Sequence, residues 1–217
     1  DASLGLGASG PSAGLFKKLR WPNVGPVPRL VKPLTRRAVR RPLWPDPVNS
    51  LLSAVTLPVV RVVSRRRPLQ GEIEPTRRFG RGFSALWDRL QPKFDLAVRR
   101  DAAYLNWKYL RAPHVRYSVA SLMRDGDPHG YVVYRHVREP RGRGTLLVDS
   151  LADPDDAQGF LTLLRFVDRE ARAADSDKIR TFAMHAAFRR LLRKSGYFGV
   201  KSTLAFVVRI NALSVPT

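Results

Sequence analysis

Cysteine does not occur among the 217 residues, which excludes disulfide bridges and thiolate chemistry. Histidine is nearly as scarce. His114, His129, His136 and His185 are scattered singly, so a metal centre is not expected. No run reaches the roughly 20 apolar residues a membrane-spanning helix needs, and no charged, apolar and small-residue leader opens the chain. The expected address is the cytoplasm, with a membrane-peripheral variant considered below. Acids are also short: 18 Asp/Glu stand against 39 Lys/Arg, a net charge of +21. Residues 1–71 hold 13 Lys/Arg against Asp1 and Asp46 alone, and the remainder is basic as well. Such a surface attracts polyanions, whether nucleic acid, anionic lipid or a phosphorylated cofactor, without specifying one.

Apolar residues make up 44% of the chain, enough for a core, and one stretch organises them. Residues 145–152 read as an apolar strand. Asp153, Pro154, Asp155 and Asp156 then supply an N-cap, a proline at the first helical position and carboxylates at the positive helix end. Phe160, Leu161, Leu163, Leu164, Phe166, Val167 and Ala171 recur at helical spacing until residues 175–177 break the pattern. A strand at 178–184, a basic helix at 186–194 closed by Gly196, and a strand at 200–210 follow. Strand alternating with helix predicts helices layered on a sheet. Upstream, 117–123 and 131–137 read as strands joined by a turn at Asp125-Gly126.

This order, with a helix closing on Ser195-Gly196-Tyr197 before a long strand, resembles the second half of a GNAT-type acyltransferase domain. Residues 99–113 followed by Tyr117 resemble a segment of bacterial GNAT-like proteins, some linked to surface-polysaccharide synthesis. The resemblance covers residues 76 to 210. It implies an α/β fold with a mixed, mostly antiparallel central sheet flanked by helices. It also implies acetyl-CoA or another acyl-CoA as donor, no metal, and transfer of the acyl group to an amine on a small-molecule or sugar acceptor or a cell-envelope precursor.

A shift of 176 positions lays Leu15, Phe16, Lys17, Lys18, Trp21, Val24 and Val31 on Leu191, Leu192, Arg193, Lys194, Tyr197, Val200 and Val207. A basic amphipathic helix, an aromatic and a strand thus occur twice. The expected organisation is residues 1–31 as the tail of a preceding GNAT-like copy, 32–69 as a basic, proline-rich linker with an amphipathic helix, and 70–217 as the GNAT-like domain. The chain then reads as the C-terminal part of a two-copy protein. The seven prolines from Pro22 to Pro47 argue against a regular helix or central strand there. Leu4-Gly-Leu-Gly-Ala8 is read as a strand end and turn rather than a phosphate loop, since no strand is evident before it.

Arg77 to Gly82 formally fits R-x-x-G-x-G, the spacing that wraps backbone amides around a CoA pyrophosphate in the family. It does not follow a central strand and an amphipathic helix at 83–90 comes after it, so the match is read as accidental. Where the motif belongs, residues 153–159 carry three carboxylates that would repel a pyrophosphate. No cofactor-binding residue is assigned, and this copy is expected to lack or alter the cofactor site. The family's tyrosine acid, four residues before the glycine closing the penultimate helix, is replaced by Leu192, and in the repeat by Phe16 before Arg20. The remaining catalytic candidates are Asp149, a base if it faces the cleft, and Asp101, orienting an amine or hydroxyl. Tyr104, Trp107 and Tyr109 would wall an acceptor pocket. The competing reading of 101–109 is a core helix whose aromatics bury their rings and keep their polar tips wet. His185 is read as the start or cap of the basic helix.

A second class of function fits the composition: a noncatalytic basic module binding anionic lipid or nucleic acid. Nucleic acid is the weaker partner, because no recognised nucleic-acid motif is present. Along 47–63, Val48, Leu51, Leu52, Val55, Val59 and Val60 form an apolar stripe interrupted by Pro58, bracketed by arginines. This helix either packs between domains or lies on an anionic membrane surface through residues 36–67.

Overall fold

The structure is a computed structural model and describes residues 2–6, 10–39, 46–65, 71–95, 97–140, 142–202 and 204–210. In chain order the elements are β1 (Ala2–Leu6), α1 (Gly10–Lys18), β2 (Asn23–Pro26), β3 (Arg29–Pro33), α2 (Arg36–Val39) and α3 (Asp46–Arg65). There follow β4 (Glu72–Pro75), α4 (Arg81–Leu90), α5 (Ala102–Leu105), β5 (Ser118–Arg124), β6 (Asp127–Glu139) and β7 (Gly142–Ala152). The last are α6 (Ala157–Ala173), β8 (Lys178–Phe182), α7 (Ala186–Lys194), β9 (Phe198–Val200) and β10 (Ala205–Ile210).

Seven strands form the main sheet in the order β4-β5-β6-β7-β8-β3-β9. Every pairing is antiparallel except that of β7 with β8. The expected α/β architecture, a mixed and mostly antiparallel sheet flanked by helices, is the one observed. Side-chain alternation along β6 divides the core. Val132 and Tyr134 join Phe160, Leu163, Leu164 and Val167 of α6 and Phe188, Leu191 and Leu192 of α7. Tyr131 and Val133 face the other way, onto Phe83, Leu86, Trp87 and Leu90 of α4 and Leu105 of α5. The β5–β6 turn has Asp125 at φ 51° and Gly126 at φ 83°, the left-handed pair that a two-residue hairpin requires.

Two readings of local structure are corrected. Residues 200–210 do not form one strand: β9 ends at Val200 and β10 starts at Ala205, and the two lie in different sheets. Nor do the prolines exclude a central strand. β3 is flanked on both sides, by β8 and β9, because the prolines sit at its margins: Pro26 and Pro28 precede it, and Pro33 is its last residue. Part of the stretch read as a linker, residues 40–45 and 66–69, lies outside the described residues.

A smaller sheet has the order β1-β10-β2. Its strand–helix–strand unit repeats the main sheet's closing unit at the offset seen in the sequence. β1 and α1 displaced by 176 residues fall on β8 and α7, and Arg20 (φ 54°) falls on Gly196 (φ 88°). The strands that finish the two units are exchanged. β3 pairs with β8 and β9, while β10 pairs with β1 and β2.

Candidate active site

β7 and β8 are hydrogen-bonded in parallel only from Gly144 to Leu146, opposite Lys178 to Arg180. Beyond that point β7 continues to Ala152 without β8, which stays paired with β3 along its whole length. The sheet therefore opens where its two parallel strands part at their carboxyl ends, the place at which α/β sheets receive ligands. A bulge lies on the border of the opening. Val133 pairs with Asp149 and Tyr134 with Leu147, so Val148 is the extra residue and is 40% exposed. Such an insertion re-aims the side chains that follow it.

Asp149 is the first of these and the centre of a polar cluster. Its Oδ2 accepts from the Tyr109 hydroxyl at 2.9 Å and the Tyr131 hydroxyl at 3.3 Å. The Arg100 guanidinium donates through Nε to Oδ2 at 3.4 Å and through Nη2 to Oδ1 at 3.3 Å, and the Ser150 amide donates to Oδ1 at 3.0 Å. A carboxylate with its lone pairs so occupied is placed to orient its donors. Burial, then the charge of Asp149, push both phenols above their ordinary pKa, so both stay protonated donors. Burial opposes the Arg100 charge, and Asp149 more than offsets it, holding that guanidinium firmly protonated.

Asp101 caps α5: its Oδ1 accepts from the Tyr104 amide at 2.8 Å, and Arg99 pairs with it at 2.6 Å. The helix read at 101–109 is not uniform. After one turn of α5, residues Asn106–Leu110 adopt a π-turn, closed by the Arg111 amide on the Asn106 carbonyl at 2.9 Å. Asn106 fixes it: its Nδ2 donates to the carbonyls of Phe79 and Ala102 at 2.8 and 2.7 Å, and its Oδ1 accepts from the Phe79 amide at 3.1 Å. The turn directs Tyr109 inward to Asp149 and leaves Trp107 65% exposed, its ring 5.8 Å from that of Tyr104. Tyr104 accepts from Lys108 Nζ at 2.8 Å. The structure thus joins Asp149 and Tyr109, sets Tyr104 and Trp107 together on the outer side of the same turn, and occupies Asp101 with capping. Sequence reasoning missed Tyr131 and Arg100. Tyr131 had one signal, a polar tip opening the apolar run Tyr131-Val132-Val133; Arg100 had none.

The start of α6 is also filled. Asp156 caps it by accepting from the Gly159 amide at 2.9 Å and pairs with Arg124 at 2.7 Å. Lys93 Nζ bridges Asp153, at 2.6 and 2.8 Å, and Asp155, at 2.8 Å. Partial burial alone would raise the Asp153 pKa, but its hydrogen bond from Lys93 brings it below the ordinary value. The helix end that could receive a pyrophosphate presents three carboxylates instead, and these residues do not fit such a group. Arg77 and Arg78 follow the edge strand β4, which is not the central-strand setting of a cofactor loop. His185 precedes α7 without a side-chain cap bond and packs its ring 5.2 Å from Phe94 and 5.0 Å from Phe188.

No protein-family model matches the chain, and no curated protein matches it in sequence. Solved structures do match in shape. A GCN5-related N-acetyltransferase from Anabaena variabilis aligns with a TM-score of 0.56 at 13% identity, over 95% of this chain and 45% of that one. A conserved Enterococcus faecalis protein described as a probable N-acyltransferase gives 0.55 at 11% identity, over 96% and 45%. Saccharomyces cerevisiae N-myristoyltransferase with bound myristoyl-CoA gives 0.54 at 11% identity, over 85% and 50%. The chain spans about half the length of these structures. At such identities the likeness speaks for architecture alone, and that architecture is the GNAT-like fold.

Proposed function

We propose that this chain is part of an N-acyltransferase-like protein that moves an acyl group from an acyl-CoA to an amine, on a small molecule or on a sugar or cell-envelope precursor. The observation that carries this reading is the parting of β7 from β8 beyond Leu146, bordered by the Val148 bulge and the Asp149 cluster, in a fold shared with solved N-acyltransferases. In this reading the exposed Trp107 and its neighbour Tyr104 wall the acceptor side. Asp149 holds Tyr109 and Tyr131 as fixed donors. The repeat at a 176-residue offset and the exchanged strands support a two-copy organisation, in which β1, α1, β2 and β10 belong to a second domain of the same kind.

The carboxylates at the start of α6 favour a second reading, in which this copy is a noncatalytic basic module and CoA chemistry belongs to the other copy. Calorimetric titration of acetyl-CoA and desulfo-CoA at two salt concentrations separates the two. Saturable binding that survives salt, and tightens about tenfold in an Asp153→Asn/Asp155→Asn variant, supports a donor site here. Absence of binding in both proteins, or binding that salt abolishes, assigns this copy to the module.

A further inference from the structure

Among its described side chains, α3 packs by one side only. Ser53 and Val60 are buried, and Val60 meets the backbone turn at Gly196, where an added Cβ would approach its Cγ1 to 3.1 Å. Leu51, Val55 and Val59, spaced four residues apart, are 68%, 60% and 52% exposed. At 100° per residue these three occupy one stripe, with Ala54 and Pro58 beside them, also exposed. Pro58 has no N–H to give the Ala54 carbonyl, yet the helix runs on through it. A stripe of three branched aliphatic residues turned outward on a two-faced helix needs a partner.

The surrounding charge selects the partner. Between residues 36 and 71 the sequence carries Arg36, Arg37, Arg40, Arg41, Arg61, Arg65, Arg66 and Arg67 against Asp46 alone. Arg36 and Arg37 of α2, which packs against α3, are exposed, as are Arg193 and Lys194 at the end of α7, beside the turn that holds Val60. A polyanionic partner that also buries aliphatic side chains is an anionic bilayer surface. Nucleic acid would satisfy the arginines and leave Leu51, Val55 and Val59 in water. No helix among the described residues is long and apolar enough to cross a membrane, so the contact is an interfacial one. We propose that α3 lies on the surface of an anionic membrane, with Leu51, Val55 and Val59 entering the headgroup boundary and the exposed Arg36 and Arg37 of the adjoining α2 pairing with lipid phosphates.

The test is co-sedimentation of the full chain with phosphatidylcholine vesicles and with vesicles containing about a third phosphatidylglycerol, beside a Leu51→Glu/Val55→Glu/Val59→Glu variant. Because the three residues are exposed, the variant is expected to keep its circular dichroism and melting temperature. The expected result is binding to the anionic vesicles, at least tenfold weaker in the variant and on neutral vesicles. In a Val55→Cys protein, whose thiol is then unique, an environment-sensitive fluorophore is expected to shift to the blue on the same vesicles. Equal vesicle binding by variant and wild type would overturn the proposal, as would a label that stays in water while the protein binds. A wild-type dimer in sedimentation velocity that the triple substitution dissociates, without vesicle binding, would overturn it in favour of a second copy.

Discussion

Lys32 of β3 and Asp168 of α6, 136 residues apart in sequence, form a buried ion pair. The lysine ammonium lies 5.5 Å from the centre of the Tyr197 ring, and the Tyr197 hydroxyl and Asp168 Oδ1 have no hydrogen-bond partner among the described residues. The pair therefore sits where an exchanged strand meets the helix that covers it. Two charges out of water add little net stability, but each makes the other indispensable. Asp168→Ala or Lys32→Ala is expected to cost about 3–5 kcal/mol by leaving one charge buried alone, whereas Lys32→Met/Asp168→Leu is expected to be near neutral. Urea denaturation of the three variants measures this. A double variant as unstable as the singles would show that the charges themselves are required.

The same pair predicts a pH dependence. Burial raises the Asp168 carboxyl above its ordinary value, against the opposing charge of Lys32. Over the window between the ordinary and the raised value, the native state holds a proton that the unfolded chain has released. Stability through this group therefore falls as pH rises. Burial lowers the Lys32 ammonium despite Asp168, so over the window between the lowered and ordinary values stability rises with pH. Denaturation curves collected across pH are expected to show both slopes in the wild type and neither in Lys32→Met/Asp168→Leu.

Around Asp149 the donors differ in what their loss strands. Arg100→Met leaves a mostly buried carboxylate with neutral donors only, and a loss of about 3–5 kcal/mol is expected. Tyr109→Phe and Tyr131→Phe each remove one hydroxyl, at about 1 kcal/mol. Thermal melts give the order. A Tyr109→Phe protein as unstable as Arg100→Met would show that the guanidinium is not the main counter-charge.

Arg20 and Gly196 hold the same left-handed backbone 176 residues apart. Glycine is free there, and a side chain is strained by about 1–2 kcal/mol. Gly196→Ala also presses on Val60, so it is expected to destabilise by at least that amount, with partial relief in Gly196→Ala/Val60→Ala. Arg20→Gly is expected to stabilise by about 0.5–1 kcal/mol, once the extra freedom of glycine in the unfolded chain is counted. Melting temperatures of the four proteins check the signs.

Local signals carried far in this sequence. Ala186–Lys194 is helical over the span that its apolar spacing and Gly196 predict, and Asp125-Gly126 turns the hairpin as its residue types require. Two kinds of information were hidden. One is partnership at a distance: nothing near Asp149 names Arg100, and nothing near Lys32 names Asp168, although a lysine alternating with Leu30 and Leu34 sits at an inward position of its strand. The other is where a strand goes. Residues 205–210 have the composition of a strand that could continue β9, and only the pairing with β1 and β2 shows otherwise. The π-turn at Asn106 was hidden for a related reason, since a five-residue closure leaves the same aromatics in view and changes which of them face in.

The strand exchange also sets an order of assembly. β3 leaves the ribosome about 145 residues before β8, yet it must lie between β8 and β9. β1 waits for β10 across nearly the whole chain. Each sheet therefore gains its inner strand only by closing a very long loop, and pairings of that range make folding slow. Until β10 is made, β1 and β2 have no strand between them, so a newly synthesised chain stopped short of residue 205 would expose two unpaired edges and invite association with a neighbour.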